Sequence, residues 1–306
     1  MAPSTVARPA ADRVSVLLLC WNHEQYLEQC IGALAAQTDR EFEILFLDNA
    51  SNDGSWERAT ALFERHGLTA IMLRNEVAAS IPANFNRLLK AASGQLIAPL
   101  STDDWYADGY IEAVRAAAAA QPDGGWFACG GWLYFEDRGE RQPIPDEQHL
   151  GGMILSQLLE GSTPFNFVGC CYRRSVLREL GGWDELMLVE DRDLFVRLSQ
   201  RGPLSIIPDR LVTYRRSSAA TSANAAFMAE AFRLFFAKHR TLFGDKHDRQ
   251  LARMLAANGS LAVDRGEFAL ARRLLAEAIG LDRRLMAAWR GLLYLLRAGA
   301  GHWLRR

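Results

Sequence analysis

The stretch LIAPLSTDDW, Leu96–Trp105, runs from a wholly apolar segment into two adjacent carboxylates. The apolar segment has the length and composition of a buried strand. Asp103 and Asp104 repel one another unless a cation lies between them, and carboxylate oxygens suit a hard divalent ion such as Mg²⁺ or Mn²⁺. Such an ion completes its shell with water and phosphate oxygens, which implies a diphosphate ligand. The alternative is a solvated turn in which one Asp caps the next helix.

Apolar runs alternate with helical patterns on the N-terminal side of this stretch. The runs are VSVLLL (Val14–Leu19), FEILFL (Phe42–Leu47) and Ala70–Leu73, and helical spacing follows over Tyr26–Ala35, Trp56–His66 and Ile81–Ala92. This alternation indicates a mainly parallel sheet covered by helices on both faces, and ligands bind such sheets beyond the carboxyl ends of the strands. We therefore predict one ligand crevice among the polar residues that follow the strands. These residues are Asn22, His23, Asp48, Asn49, Asp53, Asn75, Asp103 and Asp104.

The pattern loosens on the C-terminal side of the same stretch. We predict a strand pair in Trp126–Phe135, a helix within Leu186–Arg201, and a second strand pair in PLSIIPDRLVTYRR, which ends at Arg216. The rest of the chain has helical periodicity, and helix pairs within Gln250–Ala298 resemble tetratricopeptide-type hairpins. The predicted division is a disordered tail at 1–13, an α/β domain at 14–222 and an all-helical C-terminal extension at 223–306.

Composition excludes several classes of protein. The 306 residues are 49% hydrophobic and 23% charged, which are ordinary values for a globular fold. The formal net charge of −1 argues against nucleic-acid binding, which usually needs a strongly basic domain. The five cysteines lack metal-ligand spacing, so we expect reduced thiols packed like small hydrophobes. No signal-like or membrane-spanning apolar segment is evident, and we expect a cytoplasmic protein.

Positive charge is concentrated near the C-terminus. From Arg249 onward the chain has eleven Arg against four acidic residues. Apolar residues such as Trp289 and Leu293 lie among Arg290 and Arg297 in this region. The pattern suits peripheral docking on the anionic inner face of a membrane, or ordinary packing and oligomerisation of an amphipathic helix. Both interpretations stay open.

Longer motifs occur in one order along the chain. Together they resemble the family 2 glycosyltransferases of the GT-A fold, over about Ser15–Ser222. The resemblance implies an α/β nucleotide-diphospho-sugar transferase fold with a mainly parallel mixed central sheet flanked by helices. The motifs are WNHEQYLEQCIGALAAQT, FEILFLDNASNDGS, LLKAASGQLIAPLSTDDW, GGWDE and VEDRDLFVRLSQRG.

The activity implied by this resemblance is inverting transfer of a sugar from a nucleotide diphosphate sugar to a hydroxyl acceptor. UDP is the favoured nucleotide, and the acceptor is expected to be a lipid-linked or other glycan in surface polysaccharide or glycolipid biosynthesis. Two alternatives stay open. One is a nucleotidyltransferase, although the first strand is not followed by a glycine-rich phosphate loop, and the other is a non-catalytic nucleotide-sugar or carbohydrate-binding scaffold.

The resemblance assigns residues to the nucleotide donor. It places the loop Cys20–Asn22 along the base and ribose, gives Asp48 recognition of one of them, and brings Arg215 to the diphosphate. Asn49 stands where the family often has a second Asp, and its amide can still donate and accept hydrogen bonds. The implied donor-binding residues are Cys20, Trp21, Asn22, Asp48, Asn49, Asp103 and Arg215.

The resemblance also implies a metal and a base. Asp104 would be the direct ligand of Mn²⁺ or Mg²⁺, and Asp103 a ribose or water contact of the same metal site. Asp191, next to Glu190, would take the proton from the acceptor hydroxyl, although an Asp at this point could equally be a helix cap.

Two aromatic residues of the motifs have alternative interpretations. Trp183 would lie against a sugar, because aromatic rings stack on the faces of sugars. The alternative is a core residue, because Trp is often largely buried. His23 is interpreted as a surface histidine without a partner, since an assignment to a catalytic role needs a neighbouring group.

Overall fold

The computed structural model describes residues 12–144, 151–161, 167–216 and 224–303. Within them, one sheet contains nine strands. They are β1 (Val14–Cys20), β2 (Phe42–Asp48), β3 (Ala70–Arg74), β4 (Leu96–Ser101), β5 (Trp105–Tyr106), β6 (Trp126–Phe135), β7 (Glu140–Pro143), β8 (Cys170–Arg173) and β9 (Leu204–Arg216).

Twelve α-helices are found in the same described ranges. They are α1 (Leu27–Ala35), α2 (Ser55–Arg65), α3 (Ile81–Ala91), α4 (Tyr110–Ala120), α5 (Leu155–Leu159), α6 (Arg174–Glu179), α7 (Glu190–Ser199), α8 (Ala225–Lys238), α9 (Arg240–Phe243), α10 (His247–Asp264), α11 (Phe268–Leu281) and α12 (Met286–Trp303).

The first four predicted strands form the parallel half of the sheet, in the order β3-β2-β1-β4. Every residue of β1 is buried, as expected for a strand covered on both faces. The register places Cys20 opposite Asp48, and Asp48 opposite Arg74. The carboxyl ends of these strands therefore meet at one edge, which confirms the predicted arrangement.

The other half of the sheet is antiparallel except where β6 and β9 run parallel, so the sheet is mixed. The two predicted strand pairs are wrong, because β6 and β9 are single long strands. Their register shifts around Gly130 and Gly131, which is the signature of a bulge. A Cβ on Gly131 would lie 2.9 Å from Val212, so the glycines allow this close approach.

The chain divides into two compact units. Among the described residues, the first draws on Met1–Ile154, Thr163–Asp184 and Leu194–Arg216, and contains the sheet. The second draws on Leu155–Ser162, Glu185–Asp193 and Ser217–Arg306. The predicted helical C-terminal extension is confirmed by α8 to α12, but the predicted boundary at residue 222 lies outside the described residues.

The second unit is held by close helix packing. Gly259 of α10 and Gly291 of α12 both approach Leu275 of α11, which is fully buried. A Cβ on Gly259 would lie 2.8 Å from Leu275 Cγ, and one on Gly291 would lie 2.7 Å from Leu275 Cδ2. Over the described ranges, we find no helix with the length and apolar character that crossing a membrane requires.

Gly259→Val should lower the free energy of unfolding by about 1–3 kcal/mol, because the added methyl groups overpack the contact with Leu275. Gly280→Val is the matched control, since no atom lies within 4 Å of a Cβ at that position of α11. Urea unfolding followed by circular dichroism measures both variants. Equal midpoints for the two would contradict the packing argument.

Candidate functional site

The loop after β1 presents Trp21 to solvent and holds Asn22 in place. The Trp21 side chain is 53% exposed, whereas Cys20 is buried. Asn22 has a φ of +56°, a conformation that Asn tolerates better than most residues. Its backbone N–H donates to Ser51 Oγ at 2.9 Å, and its Oδ1 accepts from Asn52 N at 2.9 Å. Of the predicted donor contacts in this loop, Trp21 and Asn22 are exposed, and the Asn22 amide oxygen is already bonded to Asn52.

Asp48, at the end of β2, is fully buried. Its Oδ1 accepts a hydrogen bond from Ser51 N at 3.3 Å, and its Oδ2 lies 3.0 Å from Arg74 Nε as an ion pair. The Arg74 side chain is 42% exposed and its guanidinium lies 5.3 Å from the centre of the Trp56 ring. The polar group that this corner offers to a ligand is therefore Arg74. Sequence reasoning missed it, because the register between β2 and β3 is what places it beside Asp48.

Asn49 is bonded within the protein. Its Oδ1 accepts from Asn75 Nδ2 and from Ala79 N, each at 2.8 Å, and its Nδ2 donates to Ala79 O at 3.0 Å. Asn75 Nδ2 also donates to Asn84 Oδ1 at 2.7 Å. The amide of Asn49 thus fixes the loop after β3. Its contact with the donor stays a prediction.

Asp104 points into the protein. Its side chain is buried, and Oδ1 accepts a hydrogen bond of 2.7 Å from the backbone N–H of Arg215 in β9. Burial, and then the charge of Asp103, raise the pKa of Asp104 well above its ordinary value. Asp104 Oδ1 thus joins β9 to the loop after β4. The assignment of Asp104 as the direct metal ligand stays a prediction.

Asp103 has an oxygen without a hydrogen-bond partner. Its side chain is 25% exposed, and Oδ1 is a buried atom without a hydrogen-bond partner in the described part of the chain. His23 Nδ1 lies 3.9 Å from this oxygen. An unpartnered buried carboxylate oxygen is costly unless a cation or another donor meets it. Asp103, predicted as the secondary residue of the pair, therefore has an oxygen that a cation could meet.

The interpretation of His23 as an isolated surface residue is wrong. Its Nδ1 lies 3.0 Å from Thr102 Oγ1, its backbone N–H donates to Ser55 Oγ at 3.0 Å, and its ring meets that of Tyr26 edge-on. Burial lowers the pKa of His23, while the charges of Asp103 and Asp53 act in the opposite direction. A neutral imidazole beside a carboxylate is a suitable donor set for a divalent cation.

His23 and Asp103 form a pair rather than a closed metal cage. The described residues contain no group of three or more His, Cys, Asp or Glu arranged to hold a metal ion. Magnesium and manganese ions that bind phosphates take few protein ligands and complete their shell with water and phosphate oxygens. The separation of 3.9 Å is less than twice the ~2.1 Å metal–ligand distance, so one ion can contact both residues. The distance and the donor types are compatible with Mn²⁺ or Mg²⁺, which stays a prediction, and His23 Nδ1 also lies 3.0 Å from Thr102 Oγ1.

Arg215 is enclosed by aromatic rings. Its side chain is 7% exposed, and its guanidinium carbon lies 4.4 Å from the centre of the Tyr26 ring and 5.1 Å from those of Trp105 and Tyr134. Cation–π contacts thus hold its charge away from solvent. The approach of Arg215 to a diphosphate stays a prediction.

The hydrogen bonds of Arg215 tie it to the loop after β4. Nε donates to the backbone oxygen of Asp103 at 2.9 Å, and Nη2 donates to Gln29 Oε1 at 2.6 Å. Nη1 lies 3.8 Å from Glu136 Oε1. The second carboxylate oxygen of Glu136, Oε2, accepts a hydrogen bond from Tyr26 OH at 3.1 Å. Arg215 therefore positions the loop that carries Asp103.

Trp183 is a core residue, and the prediction that it contacts a sugar is wrong. The side chain is 1% exposed, with the ring stacked on Phe85 at 5.2 Å and edge-on to Tyr172 at 6.2 Å. Asn86 Oδ1 accepts from the Trp183 backbone N–H at 2.9 Å, and Asn86 Nδ2 donates to its carbonyl at 2.8 Å. Stacking on a sugar needs an open ring face, which this environment does not leave.

Glu190 and Asp191 begin α7 and belong to the second unit. Burial, and then the charge of Asp191, raise the pKa of Glu190 to about 8. Burial also raises the pKa of Asp191. The charge of Arg192 lowers it, as does the Arg192 backbone N–H, which donates to Asp191 Oδ1 at 2.7 Å. The two carboxyls interact strongly, so one is held neutral while the other ionises. Their predicted catalytic roles stay predictions.

Comparison with known proteins identifies relatives of the chain. The family model described as "Glycosyl transferase family 2" matches residues 15–181. An uncharacterized protein of Mycobacterium tuberculosis, MT1568, is 26% identical over 70% of this chain and 70% of its own length. The putative glycosyltransferase EpsE of Bacillus subtilis is 25% identical over 63% of this chain and 69% of its own length. The glycosyltransferase GlyA of Streptococcus pneumoniae is 29% identical over 63% of this chain, but this covers 24% of GlyA.

Solved structures share the fold. S. aureus TarS 1-349, in complex with UDP-GlcNAc, superposes with a TM-score of 0.64 at 18% identity, covering 88% of this chain and 81% of that one. The mannosyltransferase PcManGT of Pyrobaculum calidifontis, in complex with GDP-Man and Mn²⁺, superposes with a TM-score of 0.57 at 19% identity. That match covers 96% of this chain and 81% of PcManGT. At these identities the likeness concerns the fold.

Replacing Glu190 by Gln should stabilise the protein more at pH 8 than at pH 5. The folded state binds the proton of Glu190 up to a pKa of about 8, whereas the ordinary value is 4.5. Between these values the folded state holds more protons than the unfolded state, so the wild-type loses stability as pH rises, and Gln removes that loss. Melting temperatures at both pH values measure the difference.

The exposed carboxylate of Glu76 provides the control, as Glu76→Gln. It should shift the melting temperature by the same amount at both pH values. If Glu190→Gln behaves like this control, Glu190 is not the buried neutral group described above.

Proposed function

The chain belongs to glycosyl transferase family 2, and we propose that it transfers a sugar from a nucleotide diphosphate sugar to a hydroxyl acceptor with inversion at the anomeric carbon. It is a nucleotide-sugar glycosyltransferase by its family and its relatives. The observation that carries the site assignment is the unpartnered Asp103 Oδ1, 3.9 Å from His23 Nδ1, at the carboxyl edge of the parallel strands. Ligands of open α/β sheets bind at this edge.

For the donor, we propose that the nucleotide lies along the loop after β1. The half-exposed Trp21 ring offers an apolar face to a base, and Arg74 offers exposed donors beside the buried Asp48. TarS and PcManGT, which share the fold, are seen with UDP-GlcNAc and with GDP-Man. Those ligands support a nucleotide diphosphate sugar here, and UDP stays the predicted nucleotide.

For the metal, Asp103 and His23 would hold Mn²⁺ or Mg²⁺. When bound, such an ion screens the diphosphate and stabilises the charge that develops on the departing nucleoside diphosphate. The protein's own contribution is to fix Asp103. Asp104 anchors the loop to β9 through the Arg215 N–H, and Arg215 Nε holds the Asp103 carbonyl.

For the chemical step, Asp191 is the proposed general base. Its carboxylate accepts the proton of the acceptor hydroxyl, the hydroxyl oxygen forms a bond to the anomeric carbon, and the bond to the diphosphate oxygen breaks. The raised pKa of Asp191 makes it a stronger base than an ordinary Asp, and a neutral Glu190 beside it avoids two adjacent charges. Turnover of a nucleotide sugar separates this proposal from a non-catalytic binding scaffold.

For the acceptor, a lipid-linked or growing glycan in surface polysaccharide or glycolipid synthesis is proposed. The polysaccharide role rests on the family's common activity rather than on a pocket in this chain. The cytoplasmic location likewise stays a prediction.

Asp103→Asn should weaken Mn²⁺ binding in the presence of UDP and lower turnover, because it removes the charged oxygen proposed to contact the ion. A loss of at least about tenfold in metal affinity is expected, and His23→Gln should cause a smaller loss. Titration with Mn²⁺ followed by electron paramagnetic resonance measures binding without turnover.

The matched control is Asp108→Asn, which removes an exposed Asp carboxylate from the same connection between β4 and α4. It should leave Mn²⁺ binding unchanged. Wild-type Mn²⁺ affinity in Asp103→Asn would exclude Asp103 as a ligand.

Asp191→Asn should reduce kcat by about 10²–10⁴ while leaving UDP binding unchanged, which is the usual cost of losing a general base. Because the pKa of Asp191 is raised, wild-type kcat should fall as pH drops, at a pH above the ordinary Asp value of 3.8. Measuring the rate of UDP release as a function of pH tests this fall in kcat at low pH. An Asp191→Asn enzyme with wild-type kcat would rule out the assignment.

A further inference from the structure

Helix α12 carries an apolar stripe on its exposed side. Met286 is 63% exposed, Trp289 43%, Leu293 58% and Leu296 64%. Their spacing of three, seven and ten residues from Met286 places them on one face of an α-helix. The opposite face is the packed one, as shown by the buried Ala288 and Leu295.

Exposed large hydrophobic side chains are concentrated on helix α12. Twelve large hydrophobic side chains are exposed among the described residues, and five of them lie on α12. Scattered exposed hydrophobic residues are normal for a folded protein, whereas a contiguous patch marks an interaction surface. We therefore interpret the stripe as an interaction surface.

Basic residues border the stripe. Arg283 and Arg284 lie just before α12, Arg290 lies one turn into it, and all three side chains are exposed. In the part of the chain that the structure describes, none of the three guanidinium groups forms an ion pair, and the Asp282 carboxylate accepts from the Arg284 backbone N–H at 2.9 Å. Their charges are therefore available to an anionic surface.

We propose that the stripe Met286, Trp289, Leu293 and Leu296, with Arg283, Arg284 and Arg290, docks this protein on an anionic lipid surface. Apolar side chains enter the boundary between headgroups and acyl chains, while Arg contacts lipid phosphates. Trp289 is suited to this depth because its indole N–H donates to the Arg283 carbonyl at 3.0 Å, so the polar group is satisfied.

The charge pattern favours lipid over a second copy of the chain. A two-fold contact through the stripe would bring the Arg residues of two copies towards one another, and like charges at an interface disfavour it. An anionic bilayer offers the complementary charge together with an apolar layer. The proposal does not depend on any catalytic residue. Binding of the protein to lipid vesicles can be measured without enzymatic turnover.

The test is flotation of the full-length protein with vesicles of phosphatidylcholine, with and without phosphatidylglycerol. Binding should require phosphatidylglycerol and should weaken as salt is raised, because the Arg contribution is screened. Leu293→Glu with Leu296→Glu should abolish flotation. Leu234→Glu, at an exposed leucine of α8, is the matched apolar control and should float like the wild-type.

The contribution of the Arg charges to vesicle binding is tested separately. Arg283→Gln with Arg290→Gln should weaken binding about 25-fold, since each basic residue at an anionic surface strengthens binding about fivefold. Arg178→Gln with Arg249→Gln removes two exposed Arg elsewhere and should leave binding unchanged. Circular dichroism and melting temperature establish that each variant is folded.

Three results would overturn the proposal. The first is no binding of the wild-type to phosphatidylglycerol vesicles, and the second is equal binding to neutral and anionic vesicles. The third is a wild-type dimer in light scattering that Leu293→Glu with Leu296→Glu converts to a monomer, which would assign the stripe to a second copy.

Discussion

The hydrogen bond from the Arg215 backbone N–H to Asp104 Oδ1 is the constraint on which the candidate site depends. It joins the loop after β4 to the distant strand β9 inside the protein, where an acceptor without its donor would cost about 1–3 kcal/mol. The same Arg215 then fixes the neighbouring carbonyl of Asp103 through its guanidinium. Aromatic rings around that guanidinium keep it in place, so the loop enters the site in one conformation.

Two adjacent aspartates therefore have opposite tasks. Asp104 faces inward and pins the loop, while Asp103 keeps an unpartnered oxygen beside His23. The repulsion between their charges adds to burial in raising the pKa of Asp104. The proposed cation at Asp103 would offset that repulsion. Glu190 and Asp191 show a similar division in the second unit, where Glu190 is held neutral beside a basic Asp191.

Several polar residues that follow the strands hold the loops of the site together. The Asn49 amide fixes the loop after β3, and Asn22 ties the loop after β1 to the one after β2. The groups that this network leaves without full bonding include Arg74, Trp21 and the pair of Asp103 and His23. The edge of the parallel sheet is thus rigid beneath the few side chains that are proposed to bind the nucleotide and the metal.

The sequence by itself determined the strands of the parallel half, the helical C-terminal region and the family, because apolar runs, periodicity and motif order are local properties of the chain. It did not reveal which of Asp103 and Asp104 faces outward, that His23 has partners, or that Arg215 and Trp183 are enclosed. Only the tertiary structure decided these points. Each depends on residues far apart in the chain, such as Arg215 and Asp104, that are brought together by strand pairing and packing rather than by any local pattern.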